Sequence, residues 1–333
     1  MIVKNPAMHI HARVGERNMK KKIGIIQSRG LGDIIIALPI ARYHWEQGAE
    51  IYWPICAEFI SSVENSVPWV NWLSVETDPQ GLFFFDTPVQ MLLEQGIGPG
   101  NFLYLYQYLS NMPEMTDPEL FNILKFDQYK YWVSGVPFVR KWTLSECIVR
   151  DLERERAFAQ SLDLPEHYLV RHQTGSSARA EIDCSFLEKL AIIDVESHET
   201  DSIFDWISVL EGAAAFVGID SVFANLVDGL CLDIPQKYWV RRSAWDLTPV
   251  LGSRWNLVSN PQGLTDPVRV NPVTAAEAKR ARTQSSPLQV PQGFQGPASF
   301  PSAAGVQGQV VSNVPFESRQ RYPTSFMSAL RKP

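Results

Sequence analysis

The chain has 333 residues, 45% of them hydrophobic and 11% aromatic, and its 30 basic and 36 acidic side chains leave a formal charge of −6. That is apolar material for two medium domains and excludes a disordered chain. No apolar run approaches the ~18 residues of a membrane-spanning helix, and the first twenty residues, MIVKNPAMHIHARVGERNMK, lack the apolar stretch of a secretory signal.

In chain order, residues 1–20 read as a flexible N-terminus. KIGIIQ (22–27) is a short β-branched strand of the buried kind, followed by the turn SRGLGD. A helix is expected from about Asp33 to Gln47, with Asp33 as N-cap and Gly48 as its closing glycine. Pro39 either kinks that helix or marks its true first turn. AEIYW (49–53) gives the next strand, which makes a βαβ unit with parallel strands and a right-handed crossover. Residues 81–142 are dense in aromatics, among them Phe83, Phe84, Phe85, Tyr104, Tyr106, Tyr129, Tyr131 and Trp132. Most are expected to pack a core, although such rings can also stack on a sugar or a base. KWTLSECIVRDLERERAFAQSLDLP (141–165) reads as one long helix leading into a second domain.

The second half repeats the pattern. HYLVRH (167–172) is a strand and TGSSARA (174–180) its loop; a short helix (185–191) and a strand (191–195) follow. SIFDWISVLEG (202–212) is an amphipathic helix ending at Gly212, and AAFVGI (214–219) is a buried strand. DSVFANLVDGL then opens a helix with an Asp220-Ser221 cap. The expected fold is therefore α/β, with two doubly wound Rossmann-like domains (21–150 and 151–259) facing across a cleft.

Residues 260–333 differ in kind. They hold Arg269, Lys279, Arg280, Arg282, Arg319, Arg321, Arg331 and Lys332 against Asp266, Glu277 and Glu317, so the tail is basic and the body correspondingly more acidic than the whole. The tail is also rich in proline and poor in apolar periodicity, as in TQSSPLQVPQGFQGPASFP. It is expected to be extended or disordered, either idle or lying along a protein partner or an anionic surface. The acidic body argues against a broad duplex-binding face. Cys56, Cys147, Cys184 and Cys231 are widely spaced and read as reduced, mostly buried thiols of a cytoplasmic protein. His9 and His11 are the one close histidine pair, and no metal site is expected from it.

The turn RGLGD carries the chemical question. Gly30-Leu31-Gly32 begins like a dinucleotide fingerprint, but Ile35 stands where that fingerprint has glycine or alanine, and no Gly-Lys-Ser/Thr follows as in a P-loop. What remains is a tight turn after a first strand, presenting the carboxylate of Asp33 at a helix start.

IGIIQSRGLGDIIIALPIARYHWEQGAEIYW resembles the N-terminal motif of the ADP-heptose:lipopolysaccharide heptosyltransferase family: a strand, a loop ending in Gly-Asp, a helix with an internal proline, and "GAEI" entering the next strand. AAAFVGIDSVFANLVDGLCLDIP is similar to the family's donor-site segment, and TGSS (174–177) falls where the family has a loop near the donor phosphates. The resemblance implies a GT-B-like fold and a metal-independent, inverting transfer from a nucleotide sugar, without a further cofactor. It implies Asp33 as the general base, with Arg29, Gly30, Gly32, Thr174, Gly175, Ser176, Ser177, Arg179, Asp220, Ser221 and Asn225 around the donor. The acceptor would be a glycan, a protein or a modified nucleic acid. Val222 and Phe223 replace the small residues of the family's segment, and Asn225 stands at its histidine position. The alternative reading is a GT-B scaffold without turnover, a binding or structural protein of a virion or similar assembly, anchored by its tail.

Overall fold

A computed structural model describes residues 20–107, 123–175, 180–187, 189–196, 199–240, 249–252 and 254–258, together with the backbone of 268–269. The remaining residues, including those of the expected N-terminal arm and nearly all of the tail, lie outside this description. The first unit runs β1 (Lys22–Ile26), α1 (Leu31–Glu46), β2 (Glu50–Cys56), α2 (Ala57–Val63), β3 (Val70–Val75), α3 (Asp86–Glu94) and β4 (Phe102–Tyr104), with strand order β3-β2-β1-β4. Helix α4 (Phe126–Ser134) packs on α1 and β4, and α5 (Leu152–Ser161) leads onward. The second unit runs β5 (Tyr168–His172), β6 (Ile182–Asp183), β7 (Ala191–Asp194), α6 (Ile207–Glu211), β8 (Ala215–Ile219), α7 (Val222–Gly229), β9 (Gln236–Val240) and β10 (Trp255–Val258). Its sheet has the order β10-β9-β8-β5-β7, and a two-residue strand, β11 (Val268–Arg269), pairs beside β6.

Every strand pair is parallel. Two parallel sheets with helices around them are the α/β plan that the sequence implied. Parallel strands must be covered on both faces, and β1 meets that demand by alternation. Ile23 and Ile25 enter the core shared with α1, while Ile26 enters a second cluster with Phe85, Val89 and Leu92 around α3. Gly24 allows that helix to approach, because a Cβ there would lie 2.6 Å from Leu92 Cδ1. Helix α1 is buried nearly all round from Leu31 through Ala41, as a helix between a sheet and another helix must be. Pro39 lies inside it and does not start it. Gly48, at φ 90°, closes it as expected.

One core runs through both units. Ile34, Ile35 and Leu38 belong to the same buried cluster as Trp206, Phe223, Leu226 and Trp239, because α1 packs along α7. A buried polar knot reinforces this junction. Lys141 Nζ lies 2.9 Å from Asp127 Oδ2 of α4 and 3.2 Å from Asp228 Oδ2 of α7, all three side chains being 2% exposed or less. Asp127 also accepts from the amides of Gln128 and Val250. Asp228 accepts from the Gly252 amide and from the indoles of Trp142 and Trp255. The lysine also donates to Val250 O.

The expected long helix over 141–165 is not formed. Two 3₁₀ turns, Phe138–Trp142 and Leu144–Glu146, are followed by an extended stretch and then α5. The stretch is held to the first unit, since Val149 N donates to Ser66 O and Trp69 Nε1 donates to Cys147 O. Asp151 then starts a new helix by accepting from Arg154 N at 3.0 Å. The 202–212 helix is likewise split into a 3₁₀ turn, Ile203–Trp206, and α6. The aromatic middle is largely core, with Phe83, Phe85, Tyr104, Tyr106, Tyr129 and Tyr131 buried, whereas Trp132 is exposed. Three cysteines are buried and Cys231 is exposed; none of the four is in a disulfide. Among the described residues no helix is long and apolar enough to cross a membrane.

Candidate functional site

The turn after β1 is built from polar groups that satisfy one another. Gly30, not Asp33, is the N-cap of α1, with φ 85°, a region that favours glycine. A Cβ at Gly30 would also sit 2.7 Å from Asp33 Oδ2, so the glycine makes room for that carboxylate. The expectation that Asp33 caps the helix is therefore corrected: it sits in the first turn, and its carboxylate faces Lys130. Asp33 Oδ1 lies 3.0 Å from Lys130 Nζ, with side-chain exposures of 37% and 3%. Lys130 comes from α4 and also donates to Gln27 Oε1 at 2.7 Å and to Leu105 O at 3.0 Å. Gln27 in turn donates to Arg29 O. Ser28 Oγ donates to Phe83 O and shares a 3.0 Å hydrogen bond with the Tyr106 hydroxyl, which accepts from Arg29 N. Burial pushes the Tyr106 phenol well above its ordinary range, so it stays a neutral hydroxyl. The Arg29 guanidinium lies over the Phe83 ring, 5.3 Å from its centroid.

The start of α7 faces this turn. A Cβ on Gly32 would lie 3.2 Å from Asn225 Nδ2 and 3.3 Å from Val222 N, so the two segments touch through a glycine. Ser221 is the N-cap residue, yet its side chain does not cap the helix. Its hydroxyl instead shares a 2.7 Å hydrogen bond with His172 Nδ1, at the end of β5. The Ser221 hydroxyl is thus not spent on the first-turn amides of α7, groups of the kind that can bind an anion at a helix end. The side-chain cap expected of Ser221 is corrected accordingly. Asn225 Nδ2 donates to Ser221 O at 2.9 Å, while Asn225 Oδ1 is buried and, among the described residues, has no hydrogen-bond partner. Val222 is 9% exposed and Phe223 fully buried, its ring against His172 and Trp206.

Asp220 lies half-buried at the end of β8. Thr174 Oγ1 donates to Glu196 Oε1 at 2.6 Å, and Gly175 follows it. The loop is closed at its base, where Ala180 N donates to Gln173 O and Ile182 N to Gln173 Oε1. Ser176, Ser177 and Arg179 lie outside the described residues. The structure therefore brings together Arg29, Gly30, Gly32 and Asp33 with Ser221 and Asn225. It adds Gln27, Tyr106, Lys130 and His172, which the sequence reading had passed over.

His172 gives the site a pH signature. Burial pushes its imidazole from 6.5 down to about 4, against the opposing charge of Asp194. The unfolded chain takes up this proton near the ordinary value and the folded chain does not. Stability is therefore complete above the unfolded value and declines as pH falls toward 4, by up to about 3 kcal/mol. Denaturation from about pH 7.5 to about pH 4.5 should show this decline, and His172→Gln should remove that part of the slope.

No family model matches the chain, and no curated protein matches it. Among solved structures it is similar to a glycosyltransferase of family 9 from Veillonella parvula, at 10% identity and a TM-score of 0.43, over 72% of this chain and 86% of that one. It is also similar to the E. coli heptosyltransferase WaaC with ADP, at 11% identity and a TM-score of 0.43, over 79% and 97%. Another is the iron-containing dodecameric glycosyltransferase TibC of enterotoxigenic E. coli, at 10% identity and a TM-score of 0.40, over 66% of this chain and 58% of that one.

Proposed function

We propose that the protein transfers a sugar from a nucleotide-sugar donor to an acceptor hydroxyl, with Asp33 as general base. The observation that carries this reading is the contact between the Gly32-Asp33 turn and the start of α7, motifs from opposite halves of the chain. In the reaction Asp33 takes the acceptor's proton as the oxygen attacks the anomeric carbon. The new C–O bond forms on the face opposite the leaving group, the bond from C1 to the phosphate oxygen breaks, and the nucleoside diphosphate departs with the electron pair. The amides at the first turn of α7, with Arg29 across the junction, would meet the growing negative charge.

Calorimetry with UDP, GDP, ADP, CMP and dTDP tests this. One nucleotide should bind in the micromolar range, and Ser221→Trp, which fills the space before α7, should abolish it. A second reading is favoured by the tightness of the same contact: with Val222 N so close to Gly32, no phosphate fits directly between the two segments. On that reading the chain is a GT-B scaffold that serves as a binding or assembly protein, and none of the nucleotides binds.

A further inference from the structure

We propose that Lys130 is a positioning residue for Asp33: it fixes one carboxylate oxygen and leaves the other for the acceptor hydroxyl. This deepens the glycosyltransferase reading and rests on it for its catalytic meaning. The geometry stands by itself.

An ammonium can face several oxygens at once, and Lys130 Nζ faces three from separate parts of the first unit, two through hydrogen bonds and the third through an ion pair. They are Gln27 Oε1 just after β1, Leu105 O just after β4, and Asp33 Oδ1 in the first turn of α1. Its side chain is 3% exposed, so the nitrogen cannot wander toward solvent and the direction in which it holds Oδ1 is set by the two inner acceptors. Joining α4 to Gln27 and Leu105 would need only neutral donors. Burying a full charge for two neutral acceptors is unfavourable, and the carboxylate of Asp33 gives the charge a reason to be there.

The other oxygen is treated differently. Asp33 Oδ2 faces Gly30, where the missing Cβ leaves it room. Among the described residues it has no ion-pair or hydrogen-bond partner. The carboxylate is thus held on one side and open on the other, the arrangement a base needs if it is to meet a hydroxyl in a single orientation. The aromatic stretch that supplies α4 then has a catalytic consequence that its rings do not: it delivers the cation.

The test uses the full chain with Lys130→Met, which keeps volume and removes the charge, and Lys130→Arg, which keeps the charge. Donor turnover is followed with ADP-glucose, UDP-glucose and GDP-mannose, water serving as acceptor, beside nucleotide affinity by calorimetry. The methionine variant should lose about 10²-fold in kcat while nucleotide affinity stays within about threefold, and the arginine variant should recover part of the loss. A kcat like that of wild type, or a loss matched by lost nucleotide affinity, overturns the proposal. A crystal structure of Lys130→Met supplies a readout independent of turnover. The Asp33 carboxylate should leave its present orientation, and finding it unmoved overturns the proposal. If the wild type turns over none of the three sugars, the glycosyltransferase reading fails on that result, and the carboxylate orientation alone decides the positioning role.

Discussion

Replacing Lys141 with methionine should lower the unfolding free energy by about 3–5 kcal/mol, the range seen when one partner is removed from a buried ion pair. Asp127 and Asp228 would then remain in the interior without the cation that lies between them, their carboxylates held only by amides and indoles. Total stabilities of domains run to about 5–15 kcal/mol, so this one change should remove at least about a fifth. Urea denaturation followed by tryptophan fluorescence provides the measurement. Lys141→Met combined with Asp127→Asn and Asp228→Asn should recover much of the loss, because neutral amides can keep part of the hydrogen bonding without leaving a charge buried. Failure of the triple variant to recover would mean that Lys141 acts mainly through its stem packing and its bond to Val250 O.

Asp33→Asn should reduce sugar transfer by about 10²–10⁴-fold, the usual contribution of a positioned general base, with nucleotide affinity little changed. Asparagine keeps an oxygen for Lys130 Nζ, so the geometry of the turn should survive. What it cannot do is accept the acceptor's proton. It also leaves the buried ammonium without its anion, so the variant should melt earlier than wild type, and rates should be compared well below its melting temperature. Wild-type turnover in Asp33→Asn would remove Asp33 from the chemistry while leaving its structural pairing intact.

The alternation of apolar residues was enough to place β1, α1, β2, β5, β8 and α7, because buried parallel strands and their crossover helices leave strong local patterns. Gly48 was legible for the same reason, since a helix end in the left-handed region asks for glycine. The glycine turn was also visible, but its internal logic was not: Gly30 starts the helix because Asp33's carboxylate occupies the space a side chain would fill. Lys130 lay hidden in FDQYKYW. The signal was there, since Asp127, Lys130, Tyr131 and Ser134 fall at one helical face and that face is buried. Polar residues at such spacing normally read as a solvated face, and only the tertiary contacts with Gln27, Leu105 and Asp33 reverse that. His172 was concealed similarly, because its partner Ser221 comes from another crossover of the sheet. The 141–165 segment misled because composition favoured a helix, while the bonds that prevent one reach back to Ser66 and Trp69.

The knot around Lys141 also sets where the chain can be cut. Val250 and Gly252 give their amides, and Trp255 its indole, to carboxylates that are fully inside the body. A truncation after β9 would look harmless on a map of the sheets, since it removes one edge strand. It would in fact strip three donors from two interior acids and loosen the joint between the units. A chain that keeps these three donors therefore runs at least through Trp255, and a protease that nicks between β9 and β10 should release the two units from each other more readily than one that trims the tail.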